Sequence, residues 1–143
     1  MHRHLFVFPL VSAMVLGATL ALADIEFEMD KARRGELGAQ VSVGDSFFFG
    51  RNTKQDYQKA ALWYRRAAEQ GAVSAQYRLG LMFFEGKGLP QSLVESYGWA
   101  SLASAQGDAR AVRLMDELRA RMKKDEFDQA IQVAQQLRSR ILD

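Results

Sequence analysis

Apolar residues recur along the middle of the chain with a spacing that predicts α-helices. Ala39, Val43 and Phe47 stand four residues apart, and residues of the same type return 36 positions later. Side chains with this spacing share one face of an α-helix. A second stretch in each copy carries alanines and one tryptophan, also at helical spacing. The pattern therefore predicts pairs of amphipathic helices, and an all-α chain.

Six helices are predicted, and glycines mark several of their ends. Gly50 and Gly86 follow the first helix of each copy, where a glycine in the left-handed conformation commonly ends a helix. Asp56 lies at the start of a second helix, where a negative charge suits the helix dipole. The predicted helices are Glu36–Phe49, Asp56–Gln70, Val73–Glu85, Ser92–Gln106, Asp108–Lys123 and Asp125–Leu142.

The helix pairs belong to a repeat of 36 residues. Gly35, Gly71 and Gly107 share this spacing, and residues 35–70 agree with residues 71–106 at eleven positions without a gap. Self-similarity at a fixed period indicates stacked units in place of one globular core. The predicted fold is a short α-solenoid of antiparallel helix pairs: unit 1 over 35–70, unit 2 over 71–106, and a degenerate unit with a capping helix over 107–143.

A glycine inside the first helix and a tryptophan inside the second helix recur in both copies. A glycine in a helix interior costs about 1 kcal/mol against alanine, so we expect a close approach of the partner helix there. An equally small residue, Ala67 or Ala103, is the predicted contact, and the tryptophans are expected in the core beside it. The four repeated residues are Gly44, Gly80, Trp63 and Trp99.

The N-terminal segment has the layout of a secretory signal peptide. A basic stretch at residues 2–4 precedes an apolar run, Leu5–Leu22, and small residues stand before Asp24. This layout predicts a signal peptide over residues 1–23, a cut after Ala23, a lead-in over 24–34 and a periplasmic location. An uncleaved inner-membrane anchor stays open, since the apolar run is just long enough to cross a bilayer.

Composition narrows the chemistry that the chain can carry. Its only two histidines lie in the predicted signal peptide, and it has no cysteine. Cleavage would leave 18 basic and 17 acidic side chains, a net charge of +1. We therefore expect no thiolate or imidazole metal site, no histidine-based catalysis, no cofactor and no nucleic-acid partner.

Several motifs of the two units match a known family. Unit 1 carries Ala39-Gln40, Val43-Gly44 and Trp63-Tyr64, and unit 2 carries Ala75-Gln76 and Leu79-Gly80 at equivalent places. Each unit ends with a Gln-Gly pair before the next one. The combined pattern resembles the Sel1-like repeat, a relative of the tetratricopeptide repeat. Asn52 departs from it, standing where the turn would have its second glycine.

The resemblance implies a binding face. In the related tetratricopeptide repeat, the first helices of successive pairs line a concave surface that holds a peptide or a protein. Five of the eight residues that this pattern places there are apolar or aromatic. They either bind a partner or pack against neighbouring helices, and the sequence does not decide between the two. The eight residues are Val41, Asp45, Phe48, Tyr77, Leu81, Phe84, Arg113 and Glu117.

The functional expectation is an exported, non-enzymatic scaffold. It would bind a protein or peptide of the cell envelope and would have no contact with the membrane after signal cleavage. One alternative is an immunity or regulatory protein that neutralises an exported effector. Another is a carboxylate-dependent enzyme acting on the cell wall through Asp45 and Glu117.

Overall fold

The computed structural model describes residues 9–142, with side chains from residue 14. The predicted basic stretch at residues 2–4 and the start of the predicted apolar run lie outside this range. Within it the chain forms α-helices and no strand, which confirms the all-α prediction. The seven helices are α1 (Pro9–Arg33), α2 (Leu37–Phe49), α3 (Tyr57–Glu69), α4 (Val73–Glu85), α5 (Leu93–Ala105), α6 (Ala109–Arg121) and α7 (Lys124–Leu142).

Helices α2 to α6 pack in chain order, each against the next one. Their bounds agree with the predicted helices to within two residues at every end. Pairs α2–α3 and α4–α5 are the two full repeat units, and the short α-solenoid is confirmed. Because each helix touches mainly its neighbours along the stack, the core lies along the seam between the layers. It forms one cluster from α1 to α5 with α7 and a smaller one between α5 and α6.

A ladder of glutamine side chains joins consecutive units, and its atomic geometry repeats. Gln40 Nε2 donates to the carbonyl oxygen of Ala32 at 3.2 Å, and Gln40 Oε1 accepts from Gln70 Nε2 at 2.7 Å. These bonds satisfy polar groups that would otherwise be buried without a partner. The same two bonds, at the same 3.2 and 2.7 Å, occur in unit 2 between Gln76, Ala68 and Gln106.

The turn inside each unit depends on left-handed backbone. Gly50 and Gly86 end α2 and α4 with φ of 67° and 68°, as the sequence predicts. Further along the turn, Gly88 has φ 69°, and Asn52 adopts the same conformation in unit 1 with φ 56°. Asparagine tolerates this region better than other residues with a side chain. The departure at Asn52 therefore leaves the turn intact.

The repeated glycines sit at close helix contacts, although not at the predicted ones. A Cβ on Gly80 would lie 3.2 Å from the backbone nitrogen of Ala100, and one on Gly44 would lie 2.7 Å from the ring of Tyr64. Both contacts fall three residues earlier on the second helix than expected. Two small residues therefore face each other only in unit 2, where Gly80 meets Ala100. The predicted contact residues, Ala67 and Ala103, were wrong.

Both tryptophans lie in the core. The exposed fraction is 6% for Trp63 and 1% for Trp99. Trp63 is partly covered by the guanidinium of Arg66, 4.7 Å from the ring centroid. Burial of this size makes each tryptophan a large contributor to the seam between layers.

Helix α1 was not predicted, because its sequence was divided into a signal peptide and a lead-in. Its C-terminal part packs on α2 through Ile25, Met29 and Ala32. Since Gln40 bonds Ala32 as Gln76 bonds Ala68, this part of α1 takes the place of a second helix preceding unit 1. From Met14 to Asp24 no side chain is buried, and Ile25 is the first buried one.

Helix α7 packs on α5 and has little contact with α6. The two helices meet at Gly98, where a Cβ would come within 2.8 Å of Val133 Cγ1 and 3.0 Å of Leu137 Cδ1. At the start of α7, Glu126 accepts a hydrogen bond from the backbone N–H of Lys123 at 3.0 Å. Asp125 lies in the first turn, as expected for an acid near the positive end of the helix dipole.

No helix between residues 9 and 142 combines the length and the apolar character that crossing a bilayer requires.

Candidate interaction groove

An open groove runs between α4 and α6, which are the first helices of the second and third units. Its volume is about 180 Å³. Five of its seven lining residues are among the eight that the sequence placed on the concave face. The α4–α6 groove is lined by Tyr77, Leu81, Phe84, Arg110, Arg113, Leu114 and Glu117.

Helical spacing explains why these side chains share the groove. Tyr77, Leu81 and Phe84 are separated by four and three residues, so they form one stripe of α4. The adjacent face of the same helix is fully committed to the core through Leu79 and Met82. The groove stripe is therefore the half-buried edge of an amphipathic helix.

Arginine side chains cover the aromatic rings of the groove. The guanidinium of Arg110 lies 4.4 Å from the ring centroid of Tyr77 and pairs with Asp108 at 2.7 Å. Asp108 also caps α6, accepting from the backbone nitrogen of Arg110 at 2.9 Å. The hydrogen bond with the Arg110 side chain lowers the pKa of Asp108. Contacts among Arg110, Asp108 and Tyr77 thus fix the three side chains at one end of the groove.

The other end is arranged in a similar way. Arg121 lies 4.8 Å from the ring centroid of Phe84 and pairs with Glu117 at 2.5 Å. Arg113 stands between the two ends, exposed, and takes part in no ion pair within residues 9–142. The groove therefore offers apolar and aromatic surface with a cation at its centre. Such a combination suits an extended segment with an acidic side chain or a terminal carboxylate.

The predicted residues of unit 1 lie in a separate cluster. Asp45 accepts a hydrogen bond from the hydroxyl of Tyr64 at 2.6 Å and pairs with Arg78 Nε at 3.2 Å. Burial raises the pKa of Tyr64, and the bond to Asp45 raises it further, so the phenol stays protonated. Asp45 is thus occupied by two partners of its own chain.

Phe48 and Val41 are half-buried and belong to packing contacts of the core. The ring of Phe48 meets Tyr57 edge to face, with centroids 5.1 Å apart, and Arg78 lies 5.8 Å from its centroid. Val41 packs against the core cluster that includes Val43. Phe48 and its repeat counterpart, Phe84, each pack partly against a core cluster, but only Phe84 also lines the groove.

The two acids proposed for catalysis are not brought together. Asp45 belongs to the cluster around Tyr64, while Glu117 pairs with Arg121 in the α4–α6 groove. Among the described residues, no three carboxylates or other metal-ligating side chains cluster as a metal site would.

Sequence reasoning missed two residues that shape these clusters, Arg110 and Arg78. Each is an arginine placed over an aromatic ring by a neighbouring helix. The heptad-like spacing of Arg110, Arg113 and Glu117 on α6 was visible in the sequence. The ring that Arg110 covers, Tyr77, could be assigned only once α4 and α6 were seen to lie side by side.

Two comparisons with known proteins agree with this fold. Sel1 repeat models match residues 38–71 and 73–108. A protective antigen of uropathogenic Escherichia coli that displays an SLR fold is 27% identical and superposes with a TM-score of 0.79 over 82% of the chain. A Sel1 repeat protein from Oxalobacter formigenes is 26% identical, with a TM-score of 0.68 over 80% of the chain.

Both neighbours are longer proteins. The superposed region is 25% of the Escherichia coli protein and 50% of the Oxalobacter formigenes protein. No curated protein matches the chain. Three findings lead to one conclusion. They are the two repeat matches, the glutamine hydrogen bonds that recur at a spacing of 36 residues, and the two superpositions. The chain is a Sel1-repeat protein.

Proposed function

We propose that this chain is an exported, non-enzymatic scaffold that binds a protein or peptide of the cell envelope through the α4–α6 groove. Sel1 repeats commonly mediate protein binding. The observation that carries the proposal is the groove itself, where Tyr77, Leu81 and Phe84 line an open channel beside Arg113. A short solenoid exposes few such surfaces, and this one has aromatic side chains at the place where a partner would meet the first helices.

The area of the whole face to which the groove belongs sets an upper limit on the partner's contact. Three first helices about 20 Å long and about 10 Å apart present roughly 600 Å². A standard protein complex buries about 800 Å² on each side. A short peptide segment or a single helix fits this surface, and a folded partner would use the edges of the solenoid as well.

Export is supported by the distribution of burial along α1. The described side chains from Met14 to Asp24 make no buried contact, and burial begins at Ile25, two residues after the predicted cut. Removing residues 1–23 would leave Ile25, Met29 and Ala32 in place against α2. Intact mass of the protein recovered from the cell envelope tests this directly. A product that still begins at Met1 would contradict cleavage.

A quantitative pull-down from envelope extract tests the groove. The paired substitution Phe84→Ala and Arg113→Ala removes one ring and the central cation of the groove. The matched control is Val112→Ala and Asp116→Ala, two exposed positions on α6 outside the groove. We expect partners recovered by the wild type and the control to be lost from the groove variant.

Equal recovery by all three proteins would remove the α4–α6 groove from the binding site. The identity of a recovered partner decides the role within the proposal, since an exported effector would make the chain an immunity protein.

A further inference from the structure

A second groove lies on the opposite set of helices, between α1 and α3. Its volume is about 360 Å³, and its apolar floor is formed by Met29, Phe47, Leu62 and Trp63. Leu62 is 50% exposed in the middle of α3, where its side chain meets no neighbouring helix that covers it. We call this surface the α1–α3 groove.

The rim of the α1–α3 groove is basic. Arg33, Lys59 and Arg66 line it, and no acidic side chain does. Lys59 reaches Asp56 only at 3.7 Å, and Arg66 lies over the ring of Trp63. Within the described residues Arg33 takes part in no ion pair. Apolar surface bordered by three cations is complementary to an amphipathic segment with acidic flanks.

The repeat supplies a precedent for what covers such a surface. Shifted by 36 residues, Leu62 and Trp63 become Gly98 and Trp99, and this surface of α5 is covered by α7. Val133 of α7 sits on Gly98, and Trp99 is 1% exposed beneath the helix. In unit 2 the chain thus covers with its own helix the surface that unit 1 leaves open.

The differences between the two surfaces define the helix that would fit unit 1. Glu95 faces the same cavity as Arg140 of α7, and its counterpart in unit 1 is Lys59. Leu102 faces the same cavity as Arg138 of α7, and its counterpart is Arg66. A helix on unit 1 therefore needs acids where α7 has its two arginines. It also needs a small residue in place of Val133, because Leu62 replaces glycine.

We propose that the α1–α3 groove binds an acidic amphipathic helix of a partner protein, lying along α3 as α7 lies along α5. Helix α7 of the same chain is already engaged on α5, and it has arginines at the two positions where a helix on unit 1 needs acids. The surface is separate from the α4–α6 groove, since the two grooves share no residue. A scaffold with one binding groove on each set of helices can join two partners.

A designed peptide tests the proposal. The probe has the sequence of α7, residues 124–142, with Val133→Ala, Arg138→Glu and Arg140→Glu, stapled to hold the helix and labelled with a dye. The matched control peptide carries Val133→Ala and keeps both arginines. Fluorescence anisotropy against the full chain should give binding of the acidic peptide at least tenfold tighter than that of the control, with the difference shrinking at high salt.

Reversing two charges on the rim of the α1–α3 groove completes the test. In the variant Lys59→Glu/Arg66→Glu the preference should invert, so that the arginine peptide binds more tightly than the acidic one. The control variant, Lys54→Glu/Lys123→Glu, removes the same charge at exposed positions outside the groove and should retain the preference. If reversal prevents folding, judged by circular dichroism, Lys59→Gln/Arg66→Gln should still reduce binding of the acidic peptide at least tenfold.

Three results would overturn the proposal. One is no binding of the acidic peptide, or equal binding of both peptides. Another is a preference that persists when the groove charges are reversed. The third is a change of oligomeric state in sedimentation when the groove is reversed, which would assign the surface to a second copy of this chain. None of these results bears on the α4–α6 groove, which the pull-down variants test separately.

Discussion

The glutamine ladder gives a prediction whose size can be worked from its contacts. Gln76 is 0% exposed, donates to the carbonyl of Ala68 and accepts from Gln106. Substitution Gln76→Ala removes both bonds, each worth about 0.5–1.5 kcal/mol. The space left by the side chain in a fully packed site adds about 1 kcal/mol.

The two groups that lose Gln76 keep other hydrogen bonds. The Ala68 carbonyl still accepts from the backbone N–H of Gly71 at 3.0 Å, and Gln106 keeps a longer bond to the carbonyl of Leu102 at 3.4 Å. Neither group is therefore left entirely without a partner, and no further penalty for an unsatisfied buried group is added to the sum. We expect Gln76→Ala to reduce the free energy of unfolding by about 2–4 kcal/mol.

Urea denaturation followed by far-UV circular dichroism measures this loss. Gln40→Ala removes the same pair of bonds in unit 1 and should cost a similar amount. Gln58→Ala is the control, an exposed glutamine on α3 that should change stability by less than about 0.5 kcal/mol. In a double-mutant cycle, Gln76→Ala and Gln106→Ala together should cost less than the sum of the two alone. A loss at Gln76 no larger than that at Gln58 would refute the reasoning.

Three further predictions concern helix packing and pH. Gly80→Ala forces α4 away from the backbone of α5 and should destabilise the protein by about 1–3 kcal/mol. Gly38→Ala has open space around its Cβ position and should be neutral or stabilising by up to about 1 kcal/mol. Thermal denaturation of the two variants measures the difference. Trp99→Ala should cost about 3–5 kcal/mol by urea denaturation, and a loss below 1 kcal/mol would show that the seam does not depend on it. Because Arg110 lowers the pKa of Asp108 below 3.8, the stability from this pair is complete above that pH and is lost as the pH falls through the folded-state pKa. The gap in unfolding free energy between wild type and Asp108→Asn should therefore close on acidification, and a gap that widens instead would contradict this assignment.

The sequence determined the repeat, its period and the helix pairs. Residues shared at 36-residue spacing, together with the helical periodicity, allowed the ends of α2 to α6 and the left-handed glycines after α2 and α4 to be predicted from the sequence. The stripe on α4 was expected from the resemblance to the tetratricopeptide repeat, and helical spacing explains why its side chains share a face. These features depend on interactions within one helix or across one turn.

Contacts between non-adjacent helices were decided only by the tertiary structure. Phe48 and Phe84 occupy the same place in their repeats, yet Tyr57 and Tyr64 surround one ring while α6 opens a groove beside the other. The placement of α7 on α5 depends on the space that Gly98 leaves for Val133 and Leu137. No local sequence pattern predicts which surface a final helix will cover. At the eleven positions that the two units share, the sequence alone does not distinguish one unit from the other. What differs between equivalent positions is the neighbour that packs against them, and that neighbour is set by long-range packing.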